Sequence, residues 1–314
     1  MRLIIIMKNK INLLLISIII LLFTGCTSNT LNNSTTTNNL NQKPTIVTTF
    51  YPIHEITKQI TQNTANVKIL IPSGTEPHSF EPTPKQIIEL SNSDIFITMG
   101  GMFHKIEEKI TQSNTKIKII QSTKTIEQKE PEHTEHSQEN HNQENIEFDP
   151  HIWLSIQNMK KMTNQISEEL IKTYPQNKEL YKTNTQNYLQ KLEQLENKYK
   201  TQLNSCKKHT ILVNHKAFSY LAHEYNFTQL SISGFNPESE PSPKTLKKVI
   251  DTAKQNNLKY IFSEGQMDPK VSKTLATEIG GQILELNPIL KNENNYIEQM
   301  ENNLKNLKTG LECK

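Results

Sequence analysis

The sequence predicts an α/β protein of two α/β lobes with parallel sheets, joined by one long rigid linking helix. Three observations carry that expectation. Short apolar and β-branched runs alternate with helical stripes from Pro44 to Ile120 and again from Thr210 to Gly310. Strand, helix, strand, helix implies parallel pairing through crossovers. Between the two series, residues 155–203 read as two successive helices, the second long enough to bridge two lobes; the plainer alternative for it is an ordinary packed surface helix.

The elements follow in order. TIVTTFYPI (45–53) is β-rich and leads into a helical run to about Gln62. VKILIP reads as a buried strand, TPKQIIELSN as a helix opened by Pro84, and DIFITMG as a strand closing on Gly100 and Gly101. A helix from about His104 to Gln112 and a strand near Lys116–Ile120 continue the series, after which residues 121–147 lose all periodicity and mark an insertion. From Ser155 to Tyr174 the apolar residues Ile156, Met159, Met162, Ile166, Leu170 and Ile171 form a helical stripe, and TYPQN ends it. The long helix then runs from about Lys178 to Leu203. The second series offers strands at TILVN, QLSIS, KYIFSE and QILELN, with helices at KAFSYLAHEY, SPKTLKKVIDTAKQNN, DPKVSKTLATEIGG and the stretch before Gly310.

The expected division is a signal peptide at 1–25, a lipidated cysteine and flexible tether at 26–43, and an N-terminal lobe at 44–155 with a His-rich loop at about 121–147. Helices fill 156–205, and a C-terminal lobe fills 206–314. The first 25 residues hold Arg2, Lys8 and Lys10 with no acid. Removing them leaves 35 − 3 = 32 basic residues against 32 acidic ones, a neutral body that argues against a nucleic-acid partner. The leader is a basic start, an apolar run from Ile11 to Phe23 and small residues before Cys26, a secretory pattern in which Met7 is an alternative start. Its ending LFTGC resembles a bacterial lipobox with Cys26 as lipid anchor; an uncleaved span is the alternative, although the apolar run is short for one. Thr27–Lys43 is almost wholly Thr, Asn, Ser and Gln, a tether with nothing to bury. Cys206 and Cys313 either pair or stay as two thiols; an oxidising compartment permits the pair.

No Gly-rich phosphate loop, GxSxG elbow or HExxH helix is present. Ligands in open α/β sheets bind beyond the carboxyl ends of the strands, and polar residues there include His78, His215, Glu264 and Asn287, with His151 in FDPHIW just past the insertion. Three histidines drawn from both lobes, His78, His151 and His215, are positioned to converge on one cleft. Imidazole suits zinc, copper, nickel or iron, whereas manganese sites bring more carboxylate. Asp149 or Glu76 is placed to accept the second ring N–H of a ligand. Ordinary imidazoles would lose a metal as pH falls through about 6 to 7. His133, His136 and His141, interleaved with Glu132, Glu135 and Glu139, read either as a solvated linker or as a weak second zinc site. His54, His104, His209 and His223 have no such context and read as surface or core residues.

EPHSFEPTPKQIIELSNSDIFITMG, FDPHIWLS, NHKAFSYLAHEYNF and IFSEGQMDPKVSKTLATEIGGQILELNP, in that order, resemble the signatures of the metal-binding solute-binding proteins of ABC importers, the zinc and manganese cluster. The resemblance covers roughly residues 44–312. It implies metal held between two lobes by His78, His151 and His215, and a lipid-anchored, monomeric protein on the extracytoplasmic face that delivers its metal to an ABC permease. Manganese members often carry Glu at the third position and Asp at the fourth. Here the third is His215 and the fourth is Asn287, with Glu264 the other candidate, so Zn2+ is the expected cargo and Mn2+ the lesser one. The acidic His-rich insertion resembles the zinc-collecting loop of zinc members. A manganese-binding relative with an adhesin role and a three-His zinc enzyme, in which the open position activates water, are the alternatives.

Overall fold

Each strand is a four-residue run, and the amount of side chain it buries follows its place in the sheet. The computed structural model describes residues 43–114, 116–126, 148–239, 241–264 and 269–314. The first sheet is built from β1 (Thr45–Thr48), β2 (Asn66–Ile69), β3 (Ile95–Thr98) and β4 (Lys118–Gln121) in the order β2-β1-β3-β4, all parallel. The second uses β5 (Thr210–Val213), β6 (Thr228–Ser231), β7 (Tyr260–Ser263) and β8 (Gln282–Glu285) in the same pattern, β6-β5-β7-β8. Central strands covered on both faces read as continuous apolar runs: IFIT of β3 is buried throughout, whereas the edge strands β2 and β8 bury almost nothing fully.

Helices α1 (Tyr51–Thr61), α2 (Pro84–Ser91) and α3 (His104–Ser113) serve the first sheet, and α6 (Ser219–Glu224), α7 (Pro243–Gln255), α8 (Pro269–Ile279) and α9 (Tyr296–Gly310) the second. α2 starts on a reciprocal cap in which the Thr83 hydroxyl accepts the Gln86 N–H and the Gln86 side chain accepts the Thr83 N–H. The sequence pattern places residues 45–53 in β structure, but the strand ends at Thr48 and Tyr51, Pro52 and Ile53 form the first turn of α1. Proline has no N–H to give a sheet ladder and is preset for a helix start, so Pro52 decides the matter.

Between the sheets lie α4 (Ile156–Thr173) and α5 (Lys178–Gln202). α5 has 25 residues and no Gly or Pro, and spans about 37 Å. Its buried stripe, Tyr181, Thr185, Tyr188, Leu192, Leu195 and Tyr199, lies on one face. At its start Asn184 donates to the Ile60 carbonyl of α1; at its end the Tyr199 hydroxyl donates to the Met300 carbonyl of α9. The helix is thus bonded to both halves. The lobes do not bury two separate cores: one continuous apolar cluster runs from Ile46 and Phe96 through α4 and α5 to Ile211, Val213 and Phe262. A smaller cluster of Leu212, Ile261, Leu275 and Val249 covers the other face of the second sheet, as the two-residue alternation along β5 and β7 requires.

Gly310 lies against the Phe262 ring so closely that a Cβ there would come within 2.3 Å of it. Cys206 and Cys313 are disulfide-bonded, closing residues 107 apart, so the choice open in the sequence is made in favour of the pair. Residues 1–42 and 127–147, which hold Cys26, the tether and His133, His136 and His141, lie outside the described residues. Among the described residues no helix is long and apolar enough to cross a membrane.

Candidate metal centre

His215 stands two residues beyond β5 and Glu264 one residue beyond β7, the strands that flank the reversal of order in the second sheet. The turn after β2 carries His78, and the Asp149-Pro150-His151 segment before α4 carries His151. These distant pieces meet. His78 Nε2 is 3.1 Å from His151 Nε2, and His215 Nε2 is 3.2 Å from the same atom. The three form the one cluster of metal-capable side chains found among the described residues, with donor atoms all within 4.8 Å of one another. Nitrogens bound at 2.0–2.1 Å to a tetrahedral zinc stand about 3.3 Å apart. His151 and His215 are 1% and 2% exposed, and His78 closes the cluster from the more open side.

Two carboxylates set the ring protons. His151 Nδ1 bonds Asp149 Oδ1 at 2.8 Å, and the same oxygen accepts the His151 backbone N–H at 3.0 Å. His215 Nδ1 makes a short hydrogen bond to Glu264 Oε1. A carboxylate can only accept, so both rings carry their proton on Nδ1 and turn the Nε2 lone pair inward. His151 Nε2 and His215 Nε2 stand 3.2 Å apart, each on the side of its ring away from the carboxylate. Burial, then the neighbouring rings His151 and His215, push His78 down to about 2. Burial also lowers His151, overriding the opposing pull of Asp149. For these two rings proton competition therefore falls below the window near pH 6 to 7 that ordinary imidazoles set.

The other residues singled out in the sequence take different places. Glu264 lies behind His215, on the Nδ1 side, and not among the Nε2 atoms. The Asn287 side-chain oxygen accepts the Ile289 N–H at 2.6 Å, and both of its backbone polar groups bond the Asn303 side chain at 2.8 Å. Of the two acids placed to orient a ring, Asp149 does so, whereas Glu76 accepts the His78 backbone N–H and sets Oε1 3.8 Å from His78 Nε2, on the metal-facing side. Tyr220, which nothing local in the sequence marks, donates from α6 to the Asp149 carbonyl at 3.1 Å. Phe235 lies 6.2 Å from the His151 ring, with the Lys216 ammonium 5.5 Å above Phe235. His104 is exposed on α3 beside Glu107 and Glu108, His209 and His223 are exposed, and the His54 ring meets the Thr48 hydroxyl.

Fold and site define a class: two-lobed α/β proteins whose seam gathers imidazoles from both lobes. The chain belongs to the ZnuA family, the zinc-uptake complex component A, periplasmic, whose model matches residues 46–310. The zinc-binding lipoprotein AdcA of Streptococcus pneumoniae is 36% identical over 314 residues, covering 95% of this chain. This chain spans only 60% of that relative's length. The high-affinity zinc uptake system protein ZnuA of Bacillus subtilis is 36% identical over 279 residues, 85% of this chain and 87% of its own. In structure, the Zn(II)-bound ZnuA-like domain of S. pneumoniae AdcA superposes with a TM-score of 0.73 at 34% identity, covering 86% of this chain and 99% of that one.

Proposed function

We propose that the protein captures Zn2+ in the seam between its lobes, with His78, His151 and His215 as ligands, and delivers it to an ABC permease for zinc uptake. The observation that carries the reading is the convergence of three imidazoles with ligand atoms within 4.8 Å of one another, two of them held by a carboxylate on the far side of the ring. Three imidazole ligands leave a fourth position open, and Glu76 stands beside it. This donor set favours zinc over manganese, which is usually held by more oxygen. Glu264, committed to His215, is not free to act as a general base, which favours a carrier over a hydrolase. The relatives' names, zinc-binding lipoprotein and zinc uptake protein, support the same reading, together with attachment through Cys26 to the outer face of the cell membrane. His133, His136 and His141 serve in this reading as an accessory collecting loop.

Native mass spectrometry of the purified protein with zinc, manganese and iron in competition tests it. One tightly held zinc and a second held weakly by the accessory loop are expected, the tight one lost in His78→Ala, His151→Ala and His215→Ala. Manganese binding at least as tight as zinc would refute the selectivity, and unchanged stoichiometry after deletion of 132–144 would remove the accessory site.

A further inference from the structure

The segment after β8, from Asn287 to Asn294, crosses from the second lobe to the first and is bonded beside two of the three histidines. The Gly74 N–H donates to the Leu290 carbonyl at 3.1 Å, and the Asn292 N–H to the Ser73 hydroxyl at 2.8 Å. Ser73 and Gly74 lie in the turn that leads to His78, and Gly74 has φ +80, a backbone that favours glycine. Trp153, two residues from His151 and 5.3 Å from its ring, donates to the Pro288 carbonyl at 2.7 Å; the Tyr296 hydroxyl donates back to the Trp153 carbonyl at 2.9 Å. Farther along, the Asn294 carbonyl accepts from Tyr51 and Gln299, and Gln299 also reaches the Lys291 carbonyl.

At the root of this segment sits a backbone outlier. Ile289 is fully buried and has φ +62, a left-handed conformation that a β-branched residue adopts only when its surroundings impose it. The bonds around Asn287 impose it. Asn287 is gripped from α9 by Asn303 through its own N–H and carbonyl, and its side-chain oxygen holds the Ile289 N–H at 2.6 Å. The turn so formed aims the Pro288 carbonyl at Trp153 and the Leu290 carbonyl at Gly74.

We infer that Asn287 is a positioning residue for metal binding: through the 287–294 strap it holds the His78 and His151 segments at the spacing that His215, fixed in the other lobe, requires. The inference rests on the zinc-binding reading above. Its effect is indirect, through backbone placement, and the side chain stays in its turn when metal is bound.

Zinc affinity and dissociation rate, measured on the purified protein by competition with a chromogenic chelator, test this alongside the melting temperature of the metal-free form. Asn287→Ala is expected to weaken zinc binding about tenfold, mainly through faster dissociation. Adding Ile289→Gly, which permits the left-handed backbone without the Asn287 bond, should restore most of that loss. A direct ligand could not be rescued in this way. Ser73→Ala, an exposed change on the opposite lobe that removes the Asn292 acceptor, should speed dissociation in the same direction by a smaller factor. Unchanged affinity in Asn287→Ala and Ser73→Ala, or a loss that Ile289→Gly leaves untouched, overturns the proposal, whatever happens to the melting temperature. Absence of zinc binding by the unsubstituted protein would instead defeat the underlying reading.

Discussion

Burial holds the His54 and His78 rings neutral before any metal arrives. His54 is pushed down to about 4 and His78 to about 2, in each case chiefly by burial, against an unfolded value near 6.5. Above pH 6.5 both folded and unfolded states hold these rings neutral. As pH falls below that, the unfolded chain takes up protons the folded one refuses, so stability is complete above about 6.5 and is lost from there down towards 4 for His54 and 2 for His78. The slope is about 1.4 kcal/mol per pH unit for each such group. Urea midpoints of the metal-free protein should therefore drop between pH 7.5 and 5, and His54→Gln should flatten the drop; a flat profile in the unsubstituted protein would contradict it. At this scale the three imidazoles were readable in the sequence, because they follow strand ends or a Pro-stiffened turn. The jobs of Asn287, Glu264 and Tyr220 were not, since each depends on a partner far along the chain: Asn303, His215 and the Asp149 carbonyl.

Among the elements, α9 shows how two opposing preferences are decided. Gly310 closes a helix in which alanine would gain about 1 kcal/mol of propensity. The Phe262 ring, 1% exposed and central to the core, leaves no room for the added methyl, and forcing a group into a packed core costs about 1–3 kcal/mol. The steric term wins, so Gly310→Ala is expected to lower unfolding stability by up to about 2 kcal/mol in urea titrations; a stabilised variant would show that Phe262 can yield. Such close approaches leave no local mark in a sequence. Alternation and stripes do, which is why the eight strands of the described residues and the helices around them are legible to within a few residues. The exception is Tyr51–Ile53, where β-rich composition points to a strand and Pro52 to a helix start.

For the whole molecule, the disulfide and the continuous core decide how it unfolds. In the chain-entropy view, the Cys206–Cys313 bond, closing residues 107 apart, contributes up to about 4–5 kcal/mol. Reduction, or Cys206→Ser with Cys313→Ser, should lower the melting temperature as one cooperative transition, because the core runs unbroken through α4 and α5; two separated transitions would show independent lobes. The two sheets repeat one strand order, so β1 corresponds to β5 and β3 to β7. The positions matching His215 and Glu264 in the first lobe are then Phe50 and Met99, a buried apolar pair, with Phe50 edge-on to Trp153. The scaffold has an internal pseudo-symmetry that the chemistry does not share. The first lobe contributes two imidazoles and the second one, so a pairing of like halves would bring four or two and never three. Only the fused, unequal chain yields the odd number on which the site is built.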